Sequence, residues 1–148
     1  MKVDVKNILT LKSNSLFGYS VILYCLSMFL PVFWGEWVFF GFHAYVIGMS
    51  SVFEYDLLFS LPCMANVLYI VSLLIRKKNI SLRILISIFT IAFSLFSFLF
   101  TRIPLIHTDL GDFEFYLGPG FLFWITSFIL LLVSQIKEYK KTPQHLIQ

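Results

Sequence analysis

Basic residues in this chain fall into three short clusters that alternate with long apolar runs, and this alternation constrains the fold more than any other feature. Ten of the eleven Lys and Arg residues lie in the clusters, whereas the two segments between them hold Arg102 and six of the eight acids. Membrane proteins keep an excess of Lys and Arg on the cytoplasmic side. The pattern therefore predicts four membrane crossings, with both termini in the cytoplasm. The clusters are Lys2, Lys6 and Lys12; Arg76, Lys77, Lys78 and Arg83; and Lys137, Lys140 and Lys141.

The composition argues against an ordinary soluble domain. Apolar residues make up 59% of the 148 residues and charged residues only 13%, and Phe occurs 18 times. A soluble domain carries about a quarter charged residues and just under half apolar ones. Because the surplus Phe and Leu can face lipid, the bilayer is the first partner that the sequence predicts. The net charge of +3 is explained by the inner clusters, so no nucleic-acid partner is predicted.

Four uncharged apolar runs carry the predicted crossings, namely residues 16–33, 57–75, 84–101 and 119–136. A helix of this length rises roughly 27 Å, close to the thickness of the hydrocarbon layer. Barrel strands would instead alternate polar and apolar residues over about ten positions. The predicted fold is an all-α, integral membrane four-helix bundle in a single domain. The predicted connectors are an outer loop 34–56, an inner loop 76–83, an outer loop 102–118 and a cytoplasmic tail 137–148.

The first outer loop is predicted to be more than a connector. Residues 37–48 contain no Lys, Arg, Asp or Glu, and at twelve residues they are too short to span a bilayer. The segment therefore predicts an interfacial or re-entrant helix, which would either cap the bundle or offer a docking surface. Aromatic residues near the ends of the runs are predicted to anchor the chain at headgroup level. These interface anchors are Trp34, Trp37, Trp124 and Tyr116.

Small and polar residues predict which helix faces meet. The third run carries hydroxyls at a three-four spacing, and the fourth run carries small residues at every seventh position. Small residues let backbones approach closely, and hydroxyls bond across helices or to their own carbonyls. The pattern favours a packed seam, with a pore lined by hydroxyls as the alternative. The residues are Ser87, Thr90, Ser94 and Ser97 on the third run, and Gly120, Ser127 and Ser134 on the fourth.

Asn66 is the most distinctive residue inside a predicted crossing. It lies near the middle of the second run, with Pro62 one turn away. An amide without a hydrogen bond in hydrocarbon costs several kcal/mol. We therefore expect Asn66 to bond to a neighbouring helix and to fix the register of the bundle, and a ligand or ion site at this amide is the alternative.

Metal, cofactor and catalytic chemistry have little support in the sequence. Carboxylates and imidazoles can bind divalent cations, but the acidic cluster of the second outer loop matches no known ligand spacing. Cys25 and Cys63 lie inside apolar runs, whereas a membrane thiol oxidase needs paired cysteines in its outer loops. No cofactor is predicted. The candidate metal ligands are His107, Asp109, Asp112 and Glu114.

Three short motifs resemble those of small uncharacterised bacterial four-span membrane proteins. They are Leu26-Ser27-Met28-Phe29-Leu30-Pro31, Ala65-Asn66 and Gly120-x-x-x-Trp124-x-x-Ser127. The resemblance covers most of the chain and implies the topology. It implies no catalytic residue. The predicted location is the cell inner membrane.

The runs contain no charge at membrane depth, no thiol pair and no nucleophile–base set, and this predicts a non-enzymatic membrane protein that acts through protein contacts. Such a protein would be an accessory subunit or an immunity-type factor against a membrane-active toxin, with a protein partner or as a homo-oligomer. One alternative is an oligomeric channel or small-molecule transporter lined by Asn66 and the hydroxyls of the third run. Another is a membrane enzyme that uses His43, His107 and the outer acids.

Overall fold

A computed structural model describes residues 5–35, 38–53, 57–75, 79–98 and 115–140 of the chain. This part of the chain is mostly helical. In chain order its elements are α1 (Val5–Phe29), β1 (Pro31–Gly35), β2 (Val38–Phe40), α2 (Gly41–Phe53), α3 (Leu57–Leu74), α4 (Ile80–Leu95), β3 (Phe115–Leu117) and α5 (Pro119–Tyr139).

The predicted all-α fold is confirmed only in that the described chain is mostly helical, because the structure also contains a small antiparallel sheet of strand order β2-β1-β3. Pro31 lacks a backbone N–H and cannot continue a helix, so α1 ends at Phe29 although the first apolar run was predicted to be helical to residue 33. The next residues are branched or aromatic and suit a strand. Trp34 pairs with Val38 on β2 and with Tyr116 on β3.

The helix predicted within residues 37–48 is present, but it occupies different residues from those predicted. The predicted segment began at residue 37, whereas Val38–Phe40 forms β2 and α2 runs from Gly41 to Phe53. The amide of Gly41 donates to the carbonyl of Leu30 at 3.2 Å, which joins the start of α2 to the end of α1.

Two further helix ends, the start of α4 and the end of α5, differ from the predicted boundaries. The helix α4 begins at Ile80 because the side chain of Asn79 accepts a hydrogen bond from the amide of Ser81 at 2.9 Å, which is an N-terminal cap. The helix α5 continues to Tyr139, although the fourth crossing was predicted to end at residue 136. Arg83 and Glu138, which were predicted to lie in the inner loop and in the tail, are therefore both helical.

Two helical segments in the described ranges are long and apolar enough to cross a membrane. They are Ile80–Phe98, where a short 3₁₀ turn extends α4, with a mean hydropathy of 2.0, and Pro119–Tyr139, with a mean hydropathy of 1.8. The apolar parts of α1 and α3 are shorter, at Ser15–Phe29 and Ser60–Leu74. The fold is thus mostly helical, with two candidate membrane-spanning helices.

The helices pack around an aromatic core. The most extensive helix–helix contact joins α1 to α5, and α4 packs against both α3 and α5. Tyr24 on α1 and Tyr69 on α3 stack with ring centroids 4.4 Å apart, and Phe128 of α5 lies 5.1 Å from the Tyr69 ring. The sheet and α2 lie at the end of the bundle where α1 ends and α5 begins.

Polar residues are concentrated inside this bundle and large apolar residues outside it. Among the described side chains, thirteen polar or charged residues are buried, against nine hydrophobic ones. Twenty-five large hydrophobic or aromatic side chains are exposed, including Phe29, Leu74 and Leu122 at 76%, 78% and 67%. This distribution is the reverse of that expected for a domain folded in water.

Gly120 permits a close approach between the start of α5 and the residues that follow α1. A Cβ atom at Gly120 would lie 2.7 Å from the carbonyl oxygen of Leu30 and 2.8 Å from that of Pro31. We expect Gly120→Ala to lower the free energy of unfolding by about 1–3 kcal/mol, because overpacking forces these backbone segments apart. Denaturant titration in a fixed detergent, followed by circular dichroism, measures this loss.

The matched control is Gly18→Ala on α1, where an added Cβ would meet no atom within 4 Å. Alanine is favoured over glycine in a helix by roughly 0.5–1 kcal/mol, so this variant should be as stable as the parent or more so. Equal losses in the two variants would contradict the close packing assigned to Gly120.

Candidate functional site

Asn66 lies at the junction of three helices. Its Oδ1 atom accepts a hydrogen bond from the Tyr24 hydroxyl of α1 at 3.0 Å and another from the Trp124 indole N–H of α5 at 2.8 Å. Its Nδ2 atom donates to the carbonyl of Pro62, one turn earlier in α3, at 3.4 Å. The side chain is only 6% exposed, so its polar atoms depend on these partners rather than on solvent.

Trp124 differs from its predicted role as an interface anchor. The ring is 7% exposed, packs edge-on against Phe128 at 4.9 Å, and directs its N–H to Asn66. A buried indole requires an acceptor for its N–H, and the amide oxygen of Asn66 supplies it. Of the other predicted anchors, Trp34 and Tyr116 are exposed and lie opposite each other on β1 and β3. Trp37 lies outside the described residues.

A second polar layer lies about one turn further along the bundle. The Ser20 hydroxyl of α1 donates to the carbonyl of Ser127 on α5 at 2.7 Å and lies 2.8 Å from the Tyr69 hydroxyl of α3. Ser20 and Ser127 are fully buried. This layer therefore joins the same three helices that meet at Asn66.

A third layer forms a closed triangle of hydrogen bonds between α3, α4 and α5. The Ser87 hydroxyl donates to Oε1 of Gln135 at 2.9 Å, and Nε2 of Gln135 donates to the Ser72 hydroxyl at 2.8 Å. The two serine oxygens are 3.2 Å apart. Sequence reasoning missed Gln135 and Ser72, although a glutamine in the last turn of an apolar run was an available signal.

Arg83 and Glu138 form an ion pair at the end of the bundle where α4 begins. One guanidinium nitrogen of Arg83 lies 3.2 Å from each carboxylate oxygen of Glu138. Arg83 is 1% exposed and Glu138 is 45% exposed, so the arginine is enclosed by the helices while the glutamate reaches the surface. Glu138 is one of only two acids outside residues 34–56 and 102–118, which are the predicted outer loops.

The residues predicted to pack helices are buried wherever the structure describes them. The Thr90 and Ser94 hydroxyls donate to carbonyls of their own helix, those of Ile86 and Ile91, at 2.9 and 2.8 Å. Such bonds satisfy a hydroxyl without a partner helix. Ser127 and Ser134 on α5 do the same with Trp124 and Leu131. The residues concerned are Ser87, Thr90, Ser94 and Ser97 on or just after α4, and Gly120, Ser127 and Ser134 on α5.

The predicted metal cluster of His107, Asp109, Asp112 and Glu114 lies outside the described residues. Within the described ranges, no group of three or more His, Cys, Asp or Glu side chains is arranged to hold a metal ion. Cys25 is exposed on α1, while Cys63 is buried on α3 with its thiol 3.8 Å from the carbonyl of Tyr45.

A cavity of about 130 Å³ adjoins the Asn66 junction. It lies between α2, α3, the start of α5 and the sheet, at the end of the bundle that the sheet covers. Its walls are mainly apolar and aromatic, with Phe33, Phe39, Phe121 and Trp124 among them, and Asn66 and Ser97 supply polar groups. The sequence did not predict this cavity, because it depends on the early end of α1 and on the sheet that follows.

Comparison of the chain with protein-family models, with curated proteins and with solved structures finds no match. The described residues themselves show a mostly helical fold, two helices long enough to span a membrane, and buried polar side chains beneath an apolar exterior.

We expect Asn66→Leu to destabilise the protein more than the loss of a single hydrogen bond would. The substitution leaves the Tyr24 hydroxyl and the Trp124 N–H without their acceptor, at roughly 1–3 kcal/mol for each buried group. Tyr24→Phe alone removes one interhelical bond, which in membrane proteins averages about 0.6 kcal/mol. Thermal unfolding of both variants in one detergent measures the difference.

A double-mutant cycle separates this junction from a general loss of packing. In the Asn66→Leu background, Tyr24→Phe removes an unsatisfied hydroxyl and should cost nothing or restore stability. Tyr19→Phe is the control, because Tyr19 lies on the exposed face of α1 and should have no effect in either background. If Tyr24→Phe costs the same with and without Asn66, the two side chains are not coupled.

Proposed function

We propose that this chain is a multi-pass integral membrane protein in which α1, α3, α4 and α5 cross the bilayer, with both termini in the cytoplasm. We further propose that it acts without catalysis, through contacts with a second membrane-embedded protein. In this role it serves as an accessory subunit or as an immunity-type factor against a membrane-active toxin.

The observation that carries this proposal is the reversed distribution of polarity. Among the described residues, buried polar side chains outnumber buried hydrophobic ones, and each of the four proposed crossings exposes large apolar side chains, such as Ile22, Ile70, Phe89 and Leu122. Water would penalise such a surface, whereas lipid or an apolar protein face would not. An exposed apolar surface of this extent supports a membrane setting and contacts within it.

The use of the interior polar groups favours contacts over catalysis or conduction. The side chains of Asn66, Gln135 and Ser87 all form hydrogen bonds to neighbouring helices. Ser87 faces α3 and α5 of its own bundle, which supports a packing role for the α4 hydroxyls rather than a pore between copies. These interior hydrogen bonds therefore support the proposal of a rigid bundle whose exposed surfaces contact a partner protein.

The outer face of α4 is the first place to seek the partner. Only 28% of the Ile80–Phe98 window is buried inside the bundle, against 44% of the window in Pro119–Tyr139. Exposed Leu85, Ile88 and Phe89 form a continuous apolar surface there, at about half exposure each. Interfaces inside membranes are built from such packed apolar and aromatic side chains.

Cysteine accessibility tests the proposed topology. In a variant with Cys25→Ala and Cys63→Ala, we expect Gly35→Cys to react with a membrane-impermeant maleimide in intact cells. Lys140→Cys should react only after the cells are permeabilised, because three crossings separate the two positions. Labelling of both positions from the same side would contradict four crossings with this arrangement.

Site-specific photo-crosslinking tests the proposed mode of action. A photoreactive phenylalanine analogue at Phe89 should give one discrete crosslinked product in native membranes. The same analogue at Ile22, on the exposed face of α1, is the matched control and should give lipid adducts only. If positions 89 and 22 both yield lipid adducts alone, α4 has no protein partner and the proposal fails.

A further inference from the structure

The cavity beside Asn66 has polar groups that the bundle does not use fully. The orientation of the Asn66 amide is fixed, because the indole of Trp124 can only donate and must therefore face the amide oxygen. The oxygen is then engaged by both Trp124 and Tyr24. Of the two N–H groups on Nδ2, one is used by the carbonyl of Pro62, at a long 3.4 Å. The second has no acceptor among the described residues.

Ser97 brings a second hydrogen-bonding group to the same cavity. It is 2% exposed and lines the cavity from the end of α4. Whereas the Ser94 hydroxyl donates to the carbonyl of Ile91, the Ser97 hydroxyl bonds to no other residue in the described ranges. The cavity is thus lined by a buried hydroxyl and a buried amide, and each can donate to an acceptor atom.

The rest of the lining sets the charge and the size of what could bind. Among the described residues that line the cavity there is no Lys, Arg, Asp, Glu or His, so these residues would not compensate a charged ligand for the loss of its hydration. A volume of about 130 Å³ is close to that of cavities known to hold a single benzene ring. Phe33, Phe39 and Phe121 offer aromatic surface to such a ring.

We propose that this cavity is a binding site for a free, neutral, single-ring compound whose carbonyl oxygen accepts a hydrogen bond from the Asn66 amide. The Ser97 hydroxyl is the second donor available to that oxygen. The ligand reaches the site from the lipid phase, where neutral ring compounds concentrate. This site does not rest on the protein-contact function proposed above, and it can exist whether or not α4 has a partner.

A matched pair of probes tests both the space and the hydrogen bond. The probes are 4′-fluoroacetophenone and 4-fluoro-α-methylstyrene, which differ in having C=O or C=CH₂ at the same position. Each is titrated by ¹⁹F NMR against the full chain in lipid nanodiscs, and empty nanodiscs give the contribution of lipid partitioning. One hydrogen bond predicts that the ketone binds about three- to tenfold more tightly than the hydrocarbon.

Variants locate the binding site. Ala44 lines the cavity, and Ala44→Leu should weaken both probes at least tenfold by filling it. Ala92→Leu adds the same atoms on the exposed face of α4 and should leave both affinities unchanged. Ser97→Leu fills the cavity from α4 and serves in place of Ala44→Leu if that variant does not fold, as judged by circular dichroism.

Two results would overturn the inference. If the filled variants bind the probes as the parent does, the signal comes from lipid and not from the cavity. If the parent binds ketone and hydrocarbon equally, the cavity offers no donor to the ligand, as expected for one occupied by ordered water.

Discussion

The two hydrogen bonds that Asn66 accepts, from Tyr24 and from Trp124, join three helices through one side chain. Most side chains of these helices are apolar, and contacts between apolar faces alone allow each helix many rotations about its axis at nearly equal energy. In lipid there is also no hydrophobic force that drives helices together. A buried amide removes this freedom, because only one arrangement brings an indole N–H and a phenol hydroxyl to the same oxygen.

Interhelical contacts between polar groups recur along α5, which takes part in each of the polar layers described above. Trp124, Ser127, Gln135 and Glu138 each contact a polar group of another helix, and their spacing along the helix is three, eight and three residues. Residues at these spacings lie on one face of a helix. The face of α5 that meets α1, α3 and α4 is thus a polar stripe within an apolar helix, and side chains such as Leu122 and Ile129 are exposed on the rest of the helix.

The sequence predicts most of the helices, since long uncharged runs and their basic flanks are strong local signals. It also predicts that Asn66 must have a partner, although not that Trp124 supplies one, because a tryptophan near the start of a run resembles an interface anchor. The sheet depends in part on pairing between Pro31–Gly35 and Phe115–Leu117, which are far apart in sequence, so no local signal predicts it. Gln135 and its neighbour Ser134 both lie in the last turn of the fourth run, but only Ser134 follows the seven-residue spacing of small residues.

The early end of α1 links the fold to the cavity. Since Pro31 turns the chain into β1, the last turn that α1 was predicted to make is absent, and the sheet and α2 enclose the space beside Asn66. The hydrogen bonds of Asn66 to Tyr24 and Trp124 lie beside this space and do not depend on the side chain at position 44. The size of the cavity and the order of the three helices can therefore be changed separately. Ala44→Leu changes the space that α2 borders, whereas Asn66→Leu changes the junction itself.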